Sequence, residues 1–195
     1  MILTRIFFVC HPETTSHIHG RGLLTSNGVL QAKSLMPRLK AELFASVYVS
    51  PFPYTKQTAS ILTAGKSLIL QNHVLVRELD YGALSKMIDH FVQSDLEVIT
   101  KWWKYQDPGM VFPGGESLDS LRRRVRNFIS QMVDRHALEN ILVISHRSTV
   151  AMVSLLANDL TNEHFFSSEN WPKQGSVNLL TITPAGHTSG FELSI

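Results

Sequence analysis

The sequence of 195 residues predicts an α/β fold, a three-layer sandwich whose mostly parallel central sheet carries helices on both faces. Three observations predict it. Strand-like apolar runs alternate with helix-like runs, the order that builds parallel sheets through crossover connections. The run Ile141-Leu142-Val143-Ile144 is apolar without a break, as a strand buried on both faces should be. His11 and His146 each follow a predicted core strand, and open α/β sheets place their sites at the carboxyl ends of strands.

The elements follow in order. Residues 5–9 are the first strand. A helix starts at Thr25, a natural N-cap, and carries Val29, Ala32, Leu35, Met36, Leu39 and Leu43 at helical spacing, with Pro37 inside it as a candidate kink. Residues 46–50 are the second strand, followed by a helix start around Tyr54 and Lys56, and Val74–Val76 is the third strand. Residues 83–104, with Trp102 and Trp103, read as helical, and 83–112 as a lid inserted in a single domain of 1–195. A helix from Ser117 presents Leu118, Leu121, Val125, Phe128, Ile129 and Met132 on one side and Arg122, Arg123, Arg124 and Arg126 on the other. That basic side reads as a solvated face, because no aromatic residues interleave with the arginines. Residues 141–144 form the next strand, a helix runs from His146 to about Asn158, and 178–183 is the last strand.

Bulk properties narrow the function. The length suits one domain with a substantial core, and 44% apolar residues is the composition of a globular protein. A formal charge of +2 argues for neither nucleic acid nor an anionic membrane as partner. Cys10 is the only cysteine, so no intrachain disulfide forms, which fits a reducing compartment. The apolar start is short, broken by Arg5 and followed by polar residues, so it reads as a strand rather than a signal peptide. No stretch is apolar enough to span a bilayer. The expected location is cytoplasmic.

Either histidine alone would read as packing or capping. Together, with Glu78 just past the third predicted strand, they suit phosphoryl transfer. Histidine attacks phosphorus as a nucleophile, and a carboxylic acid protonates the leaving oxygen. Strand ends that lead into helices add backbone N–H donors for an anion. Two other chemistries have thinner support. A metal site at His17, His19 and a further histidine lacks any Cys or Asp cluster. Cys10 as nucleophile lacks the Cys-x₅-Arg spacing, since position 16 is serine.

Six segments in order carry a resemblance. They are Cys10-His11-Pro12-Glu13-Thr14, Leu24-Thr25-Ser26-Asn27-Gly28-Val29-Leu30-Gln31-Ala32, and Ser50-Pro51-Phe52-Pro53-Tyr54-Thr55-Lys56-Gln57-Thr58-Ala59. Then come Glu78-Leu79-Asp80-Tyr81-Gly82-Ala83-Leu84, Pro113-Gly114-Gly115-Glu116-Ser117 and Val143-Ile144-Ser145-His146. This series resembles the histidine phosphatase superfamily, the phosphoglycerate mutase-like proteins, over nearly the whole chain.

The resemblance implies that His11 accepts the phosphoryl group, Glu78 is general acid and base, and His146 holds the transferring group with two arginines. Those arginines belong at positions 10 and 54, where this chain has Cys10 and Tyr54. It also has Pro12 for the family's glycine and His17 for its asparagine. The substrate pocket is then expected to be lined by Cys10, Glu13, Thr14, Tyr54 and Arg147. Arg147, Arg21 and Lys56 are the candidates to replace the lost charge.

Phosphoryl transfer depends on neutralising charge spread over three oxygens, and arginine binds two at once. A hydrogen bond to a charged group is worth roughly 1.5–3 kcal/mol, so two lost arginines cost about 3–6 kcal/mol, on the order of 10²–10⁴ in rate or affinity. A thiolate at Cys10 would repel phosphate. The expected function is a phosphomonoester hydrolase acting through phosphohistidine with weak or altered activity. The alternative is a repurposed or non-catalytic domain that binds a ligand or protein, or acts on a substrate without phosphate. No cofactor or metal is expected. The partner is a small anionic or phosphorylated substrate, and the sequence leaves a homodimer open.

Overall fold

The computed structural model describes residues 3–15, 22–82, 109, 111 and 114–194. The lid expected over 83–112, together with His17, His19 and Arg21, lies almost wholly outside them. In chain order the elements are β1 (Thr4–Cys10), α1 (Ser26–Leu39), β2 (Phe44–Val49), α2 (Pro53–Leu62), β3 (Leu70–Asn72), α3 (Leu118–Arg135), β4 (Asn140–Ser145), α4 (Arg147–Ala157), β5 (Val177–Ile182) and β6 (Thr188–Glu192). The sheet runs β3-β2-β4-β1-β5-β6. Its first four strands are mutually parallel, and β5 and β6 are antiparallel additions at one side.

The unbroken apolar strands are explained by two cores. Ile6, Phe8 and Cys10 of β1 and Ile141 and Val143 of β4 pack with α3 and α4. The alternate residues, Phe7, Val9, Leu142 and Ile144, pack with α1 and α2 on the other face. A period of two with both faces buried requires apolar residues at every position.

Two expectations are corrected, and one strand is added. Val74–Val76 is a 3₁₀ turn, and β3 lies four residues earlier at Leu70–Asn72. As an edge strand, β3 keeps polar residues, whereas Val76 is apolar because it plugs the core. Leu43 is outside α1 and 88% exposed, since the helix stops at Leu39 with Pro37 in its last turn, leaving nothing long enough to kink. β6 was not expected, because an exposed edge strand containing Gly190 shows no apolar period.

Both helix starts were legible. Thr25 Oγ1 accepts from the Gly28 N–H at 2.9 Å, and Ser117 Oγ accepts from the Ser120 N–H at 3.1 Å. Gly28 is required for a second reason. A Cβ there would sit 2.1 Å from the Glu13 carbonyl oxygen, so α1 crosses the loop after β1 where only glycine fits. Gly28→Ala is expected to cost about 1–3 kcal/mol by overpacking. A urea midpoint unchanged from wild type would show that the loop moves aside freely.

Candidate active site

The sheet order brings together residues far apart in the chain. β1 and β4 are neighbours with Cys10 opposite Ser145, and the His11 N–H donates to the Ser145 carbonyl at 3.1 Å. His11 and His146 therefore leave the sheet side by side, with ring centroids 5.2 Å apart. His146 is also the N-cap of α4, so that helix begins in the cleft with its positive end toward any bound anion.

Glu78 reaches the same place on an irregular segment that is held by other residues. Ser145 Oγ donates to the Val76 carbonyl at 2.8 Å, and Thr149 Oγ1 donates to that of Arg77 at 2.7 Å. The Leu79 N–H donates to Glu78 Oε1 at 2.9 Å and to Ser148 Oγ at 3.0 Å. Glu78 Oε2 lies 3.8 Å from His146 Nδ1.

Behind this segment stands Arg124, only 7% exposed. Its guanidinium meets both carboxylate oxygens of Glu116 at 2.8 and 2.9 Å and donates to the carbonyls of Leu75 at 2.6 Å and Glu78 at 3.1 Å. The solvated-face reading of the arginines on α3 is therefore corrected at this position. Arg124 lies on the buried side, where the carbonyls of the Glu78 segment and Glu116 satisfy its donors. Arg122 is likewise engaged with Asn162 and Leu160, while Arg123 and Arg126 are exposed. Without Arg124 the buried Glu116 carboxylate keeps only the more distant Arg77, 3.7 Å away, so Arg124→Met is expected to cost about 3–5 kcal/mol. Adding Glu116→Gln should recover part of the loss in urea denaturation, and strict additivity would disprove the coupling.

Hydrogen bonding sets the state of His11. Its Nδ1 is 2.8 Å from the Pro12 carbonyl oxygen, which can only accept. The proton therefore sits on Nδ1 and the lone pair on Nε2. Burial lowers the His11 pKa to about 4, and the Arg147 charge adds to the lowering. His11 is neutral and nucleophilic at physiological pH. Burial raises the Glu78 carboxyl to about 7, against the pull of the Leu79 N–H, Arg124 and Arg147. Near neutrality it both gives and takes a proton.

The residues expected to line the substrate pocket differ in their surroundings. Cys10 is 0% exposed at the end of β1, and burial pushes its thiol up to about 12. It stays protonated, so neither the thiolate repulsion nor a role as nucleophile applies. Tyr54 is buried where the resemblance places an arginine, its ring 4.4 Å from His11 and 5.7 Å from His146 between centroids. Phe52 is 5.1 Å from His146. The Glu13 carboxylate is committed to α1, accepting from Thr25 Oγ1 at 2.6 Å and Asn27 Nδ2 at 2.9 Å. Thr14 forms a single bridge with Leu24 beside it. Lys56 is exposed. Arg147 overlooks the cleft. Its Nε donates to the Pro172 carbonyl at 2.9 Å, its guanidinium lies 5.3 Å from the Trp171 ring centroid, and its charge acts on Cys10, His11, Glu78 and Tyr81.

Sequence reasoning assigned no role to Ser50, Ser148 or Arg124. Ser50 Oγ lies 2.6 Å from His146 Nε2. The signal for Ser50 was present, because it stands at the carboxyl end of β2, level with both histidines. Arg124 gave no signal, since one arginine in a run of three looks like its neighbours until the helix is packed. For a metal, the one donor group among the described residues is His11, Glu78 and His146, whose ligand atoms all lie within 4.8 Å of one another.

A neutral imidazole with a directed lone pair, a carboxyl group titrating near neutrality and a second histidine are the groups that histidine-based phosphoryl transfer requires. The sequence model of the histidine phosphatase superfamily, branch 1, matches residues 6–190, and the chain belongs to that family. Phosphoserine phosphatase 1 of Hydrogenobacter thermophilus is 30% identical over 178 residues, which cover 86% of this chain and 83% of that one. The adenosylcobalamin/alpha-ribazole phosphatase of Escherichia coli is 26% identical over 160 residues, 76% of each chain. The crystal structure of a putative alpha-ribazole-5'-P phosphatase from Escherichia coli shares the fold with a TM-score of 0.81 at 21% identity, covering 98% of this chain and 96% of the other.

Proposed function

We propose that this protein hydrolyses a small phosphomonoester through a phosphohistidine at His11, with turnover lowered by the missing arginines. The observation that carries the reading is the His11 Nδ1–Pro12 contact, which leaves the lone pair on Nε2 of a ring that lies beside Glu78 and His146. In the first step Nε2 bonds to phosphorus, the bond from phosphorus to the ester oxygen breaks, and Glu78 gives its proton to that oxygen. In the second step water attacks the phosphohistidine and Glu78 takes the water's proton. Inorganic phosphate leaves and His11 regains its lone pair. His146 and the first amides of α4 hold the phosphoryl oxygens, and Arg147 supplies the cationic charge from the rim.

The relatives support a small phosphorylated substrate, since those named act on phosphoserine or an alpha-ribazole phosphate. A second reading, a ligand without phosphate, is favoured by Tyr54 and Phe52, which put aromatic surface against both histidines. Acid-stable trapping does not apply to phosphohistidine, so the test is rapid quench into alkali with a radiolabelled aryl phosphate. Label on the wild type and none on His11→Ala supports the hydrolase. An unlabelled wild type with no turnover overturns it in favour of the second reading.

A further inference from the structure

The hydrogen bonds on the two histidines point to a second use of the same cleft. Each ring has its outer nitrogen tied back to the protein: His11 Nδ1 to the Pro12 carbonyl at 2.8 Å, and His146 Nε2 to Ser50 Oγ at 2.6 Å. His146 Nδ1 lies 3.8 Å from Glu78 Oε2, and one ring nitrogen of each histidine and a Glu78 oxygen all lie within 4.8 Å of one another. Metal-binding histidines have this arrangement, in which a tether on one nitrogen orients the ring and aims the other; at His11 the Pro12 carbonyl also fixes the tautomer. Two histidines and one glutamate are a recognised zinc donor set, with a fourth position left open.

Charge also favours a cation. Arginines at positions 10 and 54 would place two permanent positive charges beside these atoms and repel a dication. Here position 10 holds a fully buried cysteine and position 54 a phenol ring, neither of which carries a permanent positive charge. Two opposing charges act on the cleft, Arg147 at the rim and Arg124 behind Glu78. Arg124 is already neutralised by Glu116.

We infer that the cleft binds one zinc ion through His11 Nε2, His146 Nδ1 and the Glu78 carboxylate. Zinc ligands sit about 2.0–2.2 Å from the metal, roughly 3.4 Å from each other, so binding contracts the trio by a side-chain rotation. The inference rests on the proposed hydrolase in one respect: zinc and phosphorus compete for the His11 Nε2 lone pair, so zinc inhibits turnover.

The test is calorimetric titration of the full-length, metal-stripped protein with zinc chloride, with visible absorption of the cobalt-substituted protein as a second readout. One zinc per chain is expected, together with the intense visible bands of a low-symmetry cobalt site. Affinity should fall at least tenfold in His11→Ala and in Glu78→Gln, the second of which keeps the side-chain shape should the first misfold. Tyr54→Arg should weaken binding by a similar factor while leaving every ligand in place. No stoichiometric binding, or binding that survives His11→Ala and disappears in a His17→Ala/His19→Ala variant, overturns the inference. Phosphohistidine trapping without zinc separates the two claims. Zinc binding without label removes the hydrolase and leaves the metal site, and label without zinc binding does the reverse.

Discussion

His11→Ala should abolish hydrolysis of an aryl phosphate by the purified protein, a loss on the order of 10⁴–10⁶ in kcat, because it removes the nucleophile of the proposed covalent intermediate. Glu78→Gln separates the acid from the nucleophile. General acid catalysis contributes about 10²–10⁴, and only where the leaving oxygen needs a proton. The variant should therefore lose most of its rate on alkyl phosphates and little on 2,4-dinitrophenyl phosphate. The pH profile follows from the same two groups. Glu78 must be protonated for the first step, and its carboxyl is raised to about 7, so kcat/KM for an alkyl phosphate falls as pH rises through about 7. His11 must be neutral, and its pKa is lowered to about 4, so the acid limb lies near 4. An alkaline limb unchanged in Glu78→Gln would remove Glu78 from the reaction.

The second large effect is a gain. Cys10→Arg/Tyr54→Arg should raise kcat/KM by roughly 10²–10⁴, the amount assigned to two arginine–phosphate contacts. Tyr54→Arg alone is the safer variant, because Cys10 is fully buried and a guanidinium there has to displace its neighbours. Arg147→Ala in the wild type should cost about tenfold in kcat/KM, one exposed charged contact, and considerably less in the double revertant. Revertants no faster than wild type would show that Tyr54 and Cys10 suit the true ligand better than arginine does.

Much of this architecture could be read in the residues. Ile141–Ile144 announced a doubly buried strand, Thr25 and Ser117 announced helix starts, and both histidines stood where the parallel strands end. What escaped was held by tertiary context. Val74–Val76 reads as a strand by apolar content but turns into the core, while the real strand at Leu70–Asn72 is polar because it lies at the sheet edge. Arg124 looked like surface, and only the rotation of α3 against the Glu78 segment reveals its partners. The Pro12 substitution removes an amide, as the sequence shows, but its carbonyl still directs the His11 lone pair, which depends on ring orientation.

The sheet order has a kinetic consequence. Ser50 and His146 touch although they are 96 positions apart, and β1 cannot pair with β4 until the chain has been synthesised through α3 to Ser145. Closing such long loops before their contacts are rewarded is slow. On refolding from denaturant, helical signal should return well before the cleft exists. A nascent chain that ends before β4 would carry the His11 motif but lack the strand and second histidine that complete the site.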